Sequence, residues 1–172
     1  MEINIDLLIK GDTGEFEKFV HIYRVSAEIF AMNIVHDNYL VEDIVQDSFA
    51  KLYVYRDKIN PDKSLKAYFF SIVKNLAIDN IRKSKKVMYK EFEIIDTVSP
   101  ENIMLKQERN NFINENINNL KPLQRYAIYL YVYENLNYKE IGTVLGKTDK
   151  QIKAIIFRAR KKLKKNMGLV ID

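Results

Sequence analysis

The feature that most constrains this chain is how little interrupts its helical periodicity. Apolar residues recur at three- and four-residue steps through nearly every segment. Only 5 Gly and 3 Pro among 172 residues are available to break them. In GEFEKFVHIYRVSAEIFAMNIV, Phe16, Phe19, Val20, Tyr23, Ala27, Phe30 and Ile34 form one stripe. Val41, Ile44, Val45, Leu52 and Tyr53 do the same in the next segment. A break follows at KINPDKS, where Pro61 biases Asn60 away from helical geometry. The pattern then resumes in SLKAYFFSIVKNLAIDNIRKSKK, with Leu65, Tyr68, Phe69, Ile72, Val73, Leu76 and Ile81 as the buried side. These patterns predict an all-α fold. Short strands joined by tight turns do not fit a chain with so few turn residues.

The helices fall into two groups. Residues 1–88 read as one helical domain. Residues 89–99, YKEFEIIDTVS, lose the pattern and read as a linker. Ser99-Pro100 then offers an N-cap with proline at the first helical position. It opens a second domain over 100–172, with helices expected at 100–117, 121–134, 138–145 and 149–165. The fold class predicted is two small helical domains joined by a linker, the second ending in a helix-turn-helix.

Composition narrows the function classes. With 47% hydrophobic and 30% charged residues, the chain is globular. There is no Cys, so disulfides, thiolate metal sites and Cys nucleophiles are excluded. MEINIDLLIKGD lacks the basic and long apolar regions of a secretory signal, and no run approaches the roughly 20 apolar residues of a membrane span. A cytoplasmic protein without membrane insertion is expected. The net charge of +5 hides an asymmetry. Residues 1–60 carry 11 acids and 6 bases, whereas 61–172 carry 12 acids and 22 bases. An acidic half followed by a basic half fits two partner surfaces, one for a polyanion, or ordinary charge variation.

The basic end has an internal plan. In NYKEIGTVLGKTDKQIKAIIFRARKKLKK, Asn137 and Glu140 have capping-box spacing, Gly146 suits a left-handed stop and Thr148 can cap the next helix. A short Gly-containing turn between two helices is the helix-turn-helix pattern. On a helical wheel Ile152, Ile156, Ala159 and Leu163 gather on one side. Lys150, Lys153, Arg160, Lys161 and Lys164 lie mostly opposite, with Phe157 among them. Residues 147–165 hold 9 bases and 1 acid. Lysines on phosphates and an aromatic against a thymine methyl fit a major groove. A solvated basic helix and a membrane-surface helix are the alternatives.

Two constellations mark the first domain. In EDIVQDSF, residues 42–49, Glu42, Asp43, Gln46 and Asp47 lie on the helix side away from Val41, Ile44 and Val45. Paired carboxylates can hold Mg²⁺ or act as acid and base. No suitably spaced His, Lys or third carboxylate completes such a site, and His21 and His36 stand alone, so a solvated acidic face is the simpler reading and no metal or cofactor is expected. In KNLAIDNIRKSKK, Asn75, Asp79 and Arg82 share one helical face, followed by Lys83, Lys85 and Lys86. Amides suit base edges and cations suit phosphates.

Five stretches in this order resemble the extracytoplasmic-function sigma factors, the small two-domain members of the bacterial RNA polymerase sigma family. They are GDTGEFEKF, EDIVQDSF, SLKAYFFSIVKNLAIDNIRK, LKPLQRYAIYLYVYENLNYKEIGTVLG and IKAIIFRARKKL. The resemblance covers about Gly11 to Lys165. It implies a non-enzymatic subunit that binds core RNA polymerase, directs it to specific promoters and helps open the DNA. Residues 1–88 would be sigma region 2 and 100–172 region 4.

The resemblance also implies residue roles. Glu42, Asp43, Gln46, Asp47 and Phe49 would bind the polymerase. Asn60, Asp62 and Lys63 would sit in the minus-ten loop, and Tyr68, Lys74, Asn75, Asp79, Arg82 and Lys83 would hold the opened strand. Thr148, Lys150, Gln151, Lys153, Ala154, Phe157, Arg158 and Arg160 would meet the minus-thirty-five element. Family members usually have Trp where Tyr68 stands and often Arg where Ile155 stands; the second difference would remove a phosphate contact. Many members are held inactive by an anti-sigma factor, which adds a candidate partner beside polymerase and promoter DNA. No small-molecule substrate is expected. A dimeric DNA-binding regulator and a carboxylate nuclease are the competing classes. The regulator has no reason to carry the acidic DIVQD face and the Asn75–Asp79–Arg82 face, and the nuclease would require Mg²⁺-dependent DNA cleavage abolished by Asp43→Ala.

Overall fold

A computed structural model of the chain describes residues 3–91 and 115–166, and among them every regular element is helical. The first unit begins with a short helix, α1 (Ile5–Ile9), capped by Asn4, whose side chain accepts from the Leu7 N–H. Helix α2 (Thr13–Val35) starts at Asp12, which accepts from the Glu15 N–H. It stops at His36, a left-handed residue with φ 56°. Asp37 then accepts from the N–H groups of Tyr39 and Leu40 to start α3 (Asn38–Val54). A 3₁₀ turn at Arg56–Lys58 and a loop lead to α4 (Leu65–Glu91). The expected break at Pro61 is there. The loop is tied by the Asn60 side chain, which accepts from the Asp62 N–H at 2.9 Å.

The second unit holds α5 (Pro122–Val132), α6 (Tyr138–Leu145) and α7 (Asp149–Asn166). Pro122 sits in the first turn of α5, where its missing N–H costs nothing. The capping box at Asn137 and Glu140 closes with bonds of 2.8 and 3.0 Å. Gly146 ends α6 in left-handed geometry at φ 65°. Three details differ from the periodicity. Helix α1 was too short to leave a periodic signal. Helix α4 runs on to Glu91, so the first three residues of the expected linker are helical. Helix α5 ends two residues early, at Val132. The rest of that linker, and most of the helix expected at 100–117, lie outside the described residues.

Helices α2, α3 and α4 pack mutually, and the three inward stripes meet in an aromatic core. Phe49 stacks on Phe69 at 4.7 Å between ring centres, and Phe19 meets Phe69 edge-on at 5.1 Å. Burying each such ring is worth about 1.5–3 kcal/mol. The second core is aliphatic: Leu130, Ile141, Ile152 and Ile156 from α5, α6 and α7 are fully buried.

The two units dock on each other. Helix α4 packs along α6, and α2 packs against α5. Phe30 stacks on Tyr129 at 5.6 Å across this seam. The Tyr129 hydroxyl donates to the Ser26 carbonyl at 2.9 Å. Arg125 donates to the Asn33 carbonyl at 3.0 Å, and its guanidinium lies 3.3 Å from the His36 ring. Burial and the Arg125 charge both push the His36 pKa below its ordinary value.

Candidate nucleic-acid interface

Helix α3 presents its acids outward. Glu42, Asp43, Gln46 and Asp47 are all exposed, while Val41, Ile44 and Val45 on the opposite side are buried. The Gln46 amide donates to Glu42 at 3.3 Å, which holds the first turn of this face together. Phe49 is placed differently from its four neighbours. It is only 7% exposed and sits in the aromatic core, at the floor of a groove with Phe16, Val45 and Tyr53. A buried ring supports a surface from beneath and offers little area of its own to a partner.

The loop before α4 forms a pocket of about 560 Å³. Asn60, Asp62, Lys63 and Tyr68 line one wall, and Lys139, Glu140 and Thr143 of α6 line another. Asn60 is partly committed, because its side chain holds the turn. Further along α4, Asn75, Asp79, Arg82 and Lys83 are exposed on one side of the helix. Arg82 and Asp79 approach at 3.7 Å, a loose surface pair worth little energetically. Lys74 is half-buried, and burial pushes its pKa down.

Helix α7 divides as its wheel predicts. Ile152, Ile156 and Ala159 are buried, and Phe157 is 67% exposed. Phe157 shares a shallow pocket of about 650 Å³ with Lys150, Lys153, Ala154, Arg158 and Arg160. Arg160 also lies 5.7 Å over the Tyr131 ring, which ties α7 to α5. Thr148 and Gln151 form a second capping box. Each side chain accepts from the other's backbone N–H, at 3.3 and 2.9 Å. Both residues start the helix, so their side chains are less free to reach a base than those of Lys150 or Lys153.

The family comparison agrees with this geometry. The model described as Sigma-70 region 2 matches residues 21–87, and that described as Sigma-70, region 4 matches residues 113–163. Together they take in the α3 face, the loop, the α4 face and the helix-turn-helix. The chain is an extracytoplasmic-function sigma factor.

Relatives agree over nearly the whole sigma factor. It is 29% identical over 171 residues to the ECF RNA polymerase sigma factor SigW of Bacillus subtilis, covering 92% of this chain and 91% of that one. It is 26% identical over 155 residues to SigM of the same organism, covering 86% and 92%. Among solved structures, the fold is similar to that of the sigma factor RpoE in complex with the anti-sigma factor NepR from Bartonella quintana. There the TM-score is 0.75 at 22% identity, over 91% of this chain and 99% of that chain. It is also similar to CnrH in complex with the cytosolic domain of CnrY, at TM-score 0.69 and 21% identity over 95% and 94%.

Two features of this sigma factor go beyond its sequence motifs. Ile155 is 8% exposed and is buried on the same helix as Ile152 and Ile156. It is a packing residue here. Tyr138, at the start of α6, lines the same pocket as Phe157. No linear pattern pairs them, because they sit on different helices. No helix among the described residues is long and apolar enough to cross a membrane.

Proposed function

We propose that this sigma factor divides its work among three exposed faces. Glu42, Asp43, Gln46 and Asp47 on α3 form the docking surface for core RNA polymerase, with Phe49 bracing it from below. The loop residues Asn60, Asp62 and Lys63, together with Tyr68, take up a base of the minus-ten element. Lys74, Asn75, Asp79, Arg82 and Lys83 track the opened strand along α4, where cations and side-chain amides suit single-stranded DNA. On α7, Lys150, Lys153, Ala154, Phe157, Arg158 and Arg160 meet the minus-thirty-five element, and Thr148 with Gln151 fixes the helix start that aims them. Residues 1–88 and 100–172 are the two functional units. The protein works in the cytoplasm and performs no catalysis; the polymerase makes the RNA.

One observation carries the assignment. The acidic α3 face and the basic α7 face lie on different units, each exposed on a helix whose opposite side is buried. A protein partner and a nucleic acid can therefore be held at once. An anti-sigma factor is a further partner of this chain, by analogy with the similar folds solved with such proteins bound. The test is promoter-dependent transcription with purified core polymerase and a library of promoter fragments. Addition of the chain should yield transcripts from a subset sharing two spaced elements. Transcription at an unchanged set of promoters, or none, would contradict the proposal.

A further inference from the structure

We infer that the docking face of α3 is longer than its acids and ends in two apolar anchors, Tyr39 and Val54, which seat in apolar sockets on either side of a basic strip on core RNA polymerase. This rests on the assignment of α3 to polymerase docking. Neither anchor lies in the acidic segment 42–47. Tyr39 is 89% exposed, the most exposed large apolar side chain among the described residues, and Val54 is 62% exposed. Single exposed apolar residues are ordinary on a protein surface. The placement of these two is not. At about 100° per residue, Tyr39, Asp43, Gln46, Asp47, Ala50 and Val54 fall within one arc of about 100°. All six are exposed, while Val41, Ile44, Val45, Phe49 and Leu52 are buried on the other side. At a rise of about 1.5 Å per residue the stripe is about 22 Å long, with the tyrosine at one end, the acids in the middle and the valine at the other.

Acids and anchors do different work. Exposed carboxylates attract a basic partner and speed encounter, yet each holds it weakly and salt screens it. Apolar groups that leave water on contact slow release, and salt does not screen them. A face made of Asp43 and Asp47 alone would find the polymerase and let it go. Tyr39 and Val54 supply the retention, and both are nearly ordered before contact. The Asp37 carboxylate accepts from the Tyr39 N–H at 2.9 Å and fixes the backbone that carries the ring. A tyrosine then has two side-chain torsions to lose, and a helical valine has one strongly preferred rotamer. The stripe also specifies its occupant. The acids require a basic strip, and their continuity with the two anchors requires apolar sockets on the same surface.

The test is binding of the full chain to immobilised core polymerase, with association and dissociation followed separately and folding checked by circular dichroism. Tyr39→Ala should weaken affinity about tenfold through faster dissociation, with the salt dependence unchanged. Val54→Ala should weaken it about threefold, and Tyr39→Phe should behave as wild type. Asp47→Ala should instead slow association and flatten the salt dependence. Val25→Ala truncates a valine 63% exposed on α2, a match for Val54 on another helix, and should change nothing. Unchanged dissociation in Tyr39→Ala, with Asp47→Ala still weakened, would overturn the anchors and leave the acidic face standing. No weakening by either variant would remove the docking assignment and the anchors with it. A loss in Val25→Ala equal to that in Val54→Ala would overturn the special place of the stripe. A free chain that dimerises, and that Tyr39→Ala renders monomeric, would give the stripe to a second copy and overturn the polymerase as its occupant.

Discussion

The Lys147 carbonyl oxygen lies where a β-carbon on Gly142 would have to go, at 2.5 Å. Helix α6 and the turn after it can therefore approach only because residue 142 has no side chain. Gly142→Ala should cost about 1–3 kcal/mol, the usual range for overpacking. The cost should appear as a lower unfolding temperature with the α3 face unaffected. Gly146 is limited by geometry instead. It has open space around it but left-handed backbone, so Gly146→Ala should cost about 1–2 kcal/mol. A Gly142→Ala chain as stable as wild type would show that the turn can shift freely.

Lys153 is exposed on the basic side of α7 and lines the Phe157 pocket. Lys153→Glu should leave stability within about 0.5 kcal/mol, as for other surface changes. It should weaken the upstream footprint of the polymerase complex and lower the salt slope of binding by about 1. An unchanged footprint would remove α7 from the promoter contact.

Asn75 is exposed midway along α4 and has no structural task visible in its surroundings. Asn75→Ala should impair open-complex formation while leaving the affinity for core polymerase unchanged. Permanganate reactivity of unpaired thymines measures the first and gel filtration the second. Equal loss in both would argue against strand capture.

His36 supplies a pH dependence of docking. Its pKa is held below the ordinary value by burial and by the Arg125 charge, so the docked state favours the neutral ring. Docking is then fully present above the ordinary histidine pKa of about 6.5 and weakens as pH falls below it. Because the ring is only partly buried, the effect should be a few-fold at most, about the scale of surface charge effects. Scattering at pH 5.5 and 7.5 should differ for wild type. It should not differ for His36→Asn, which tolerates the left-handed position and does not titrate.

What the sequence made legible was local. Helix stripes, the capping box at Asn137 and the split of α7 around Phe157 all depend on residues a turn or two apart. Periodicity and cap chemistry report on that range. The burial of Ile155 was within reach too, since it lies only 60° from Ile152 when each residue turns the helix by about 100°. The seam between the units was not legible. Lys66 and Glu134 are 68 residues apart, and Arg125 and Asn33 are 92 apart. Each reads alone as an ordinary surface charge or amide. The pocket that joins the loop before α4 to α6 exists only once those contacts form. Thr148 was expected to cap α7, and the geometry adds that Gln151 caps it in return.

The most direct measurement of the central claim is co-elution of the purified chain with bacterial core RNA polymerase on gel filtration, with Asp47→Ala alongside. Wild type should travel with the polymerase. The variant, still folded by circular dichroism because Asp47 is exposed on α3, should be largely released. Equal co-elution of both would contradict the acidic face as the docking surface. Failure of the folded wild-type chain to co-elute would contradict the account as a whole.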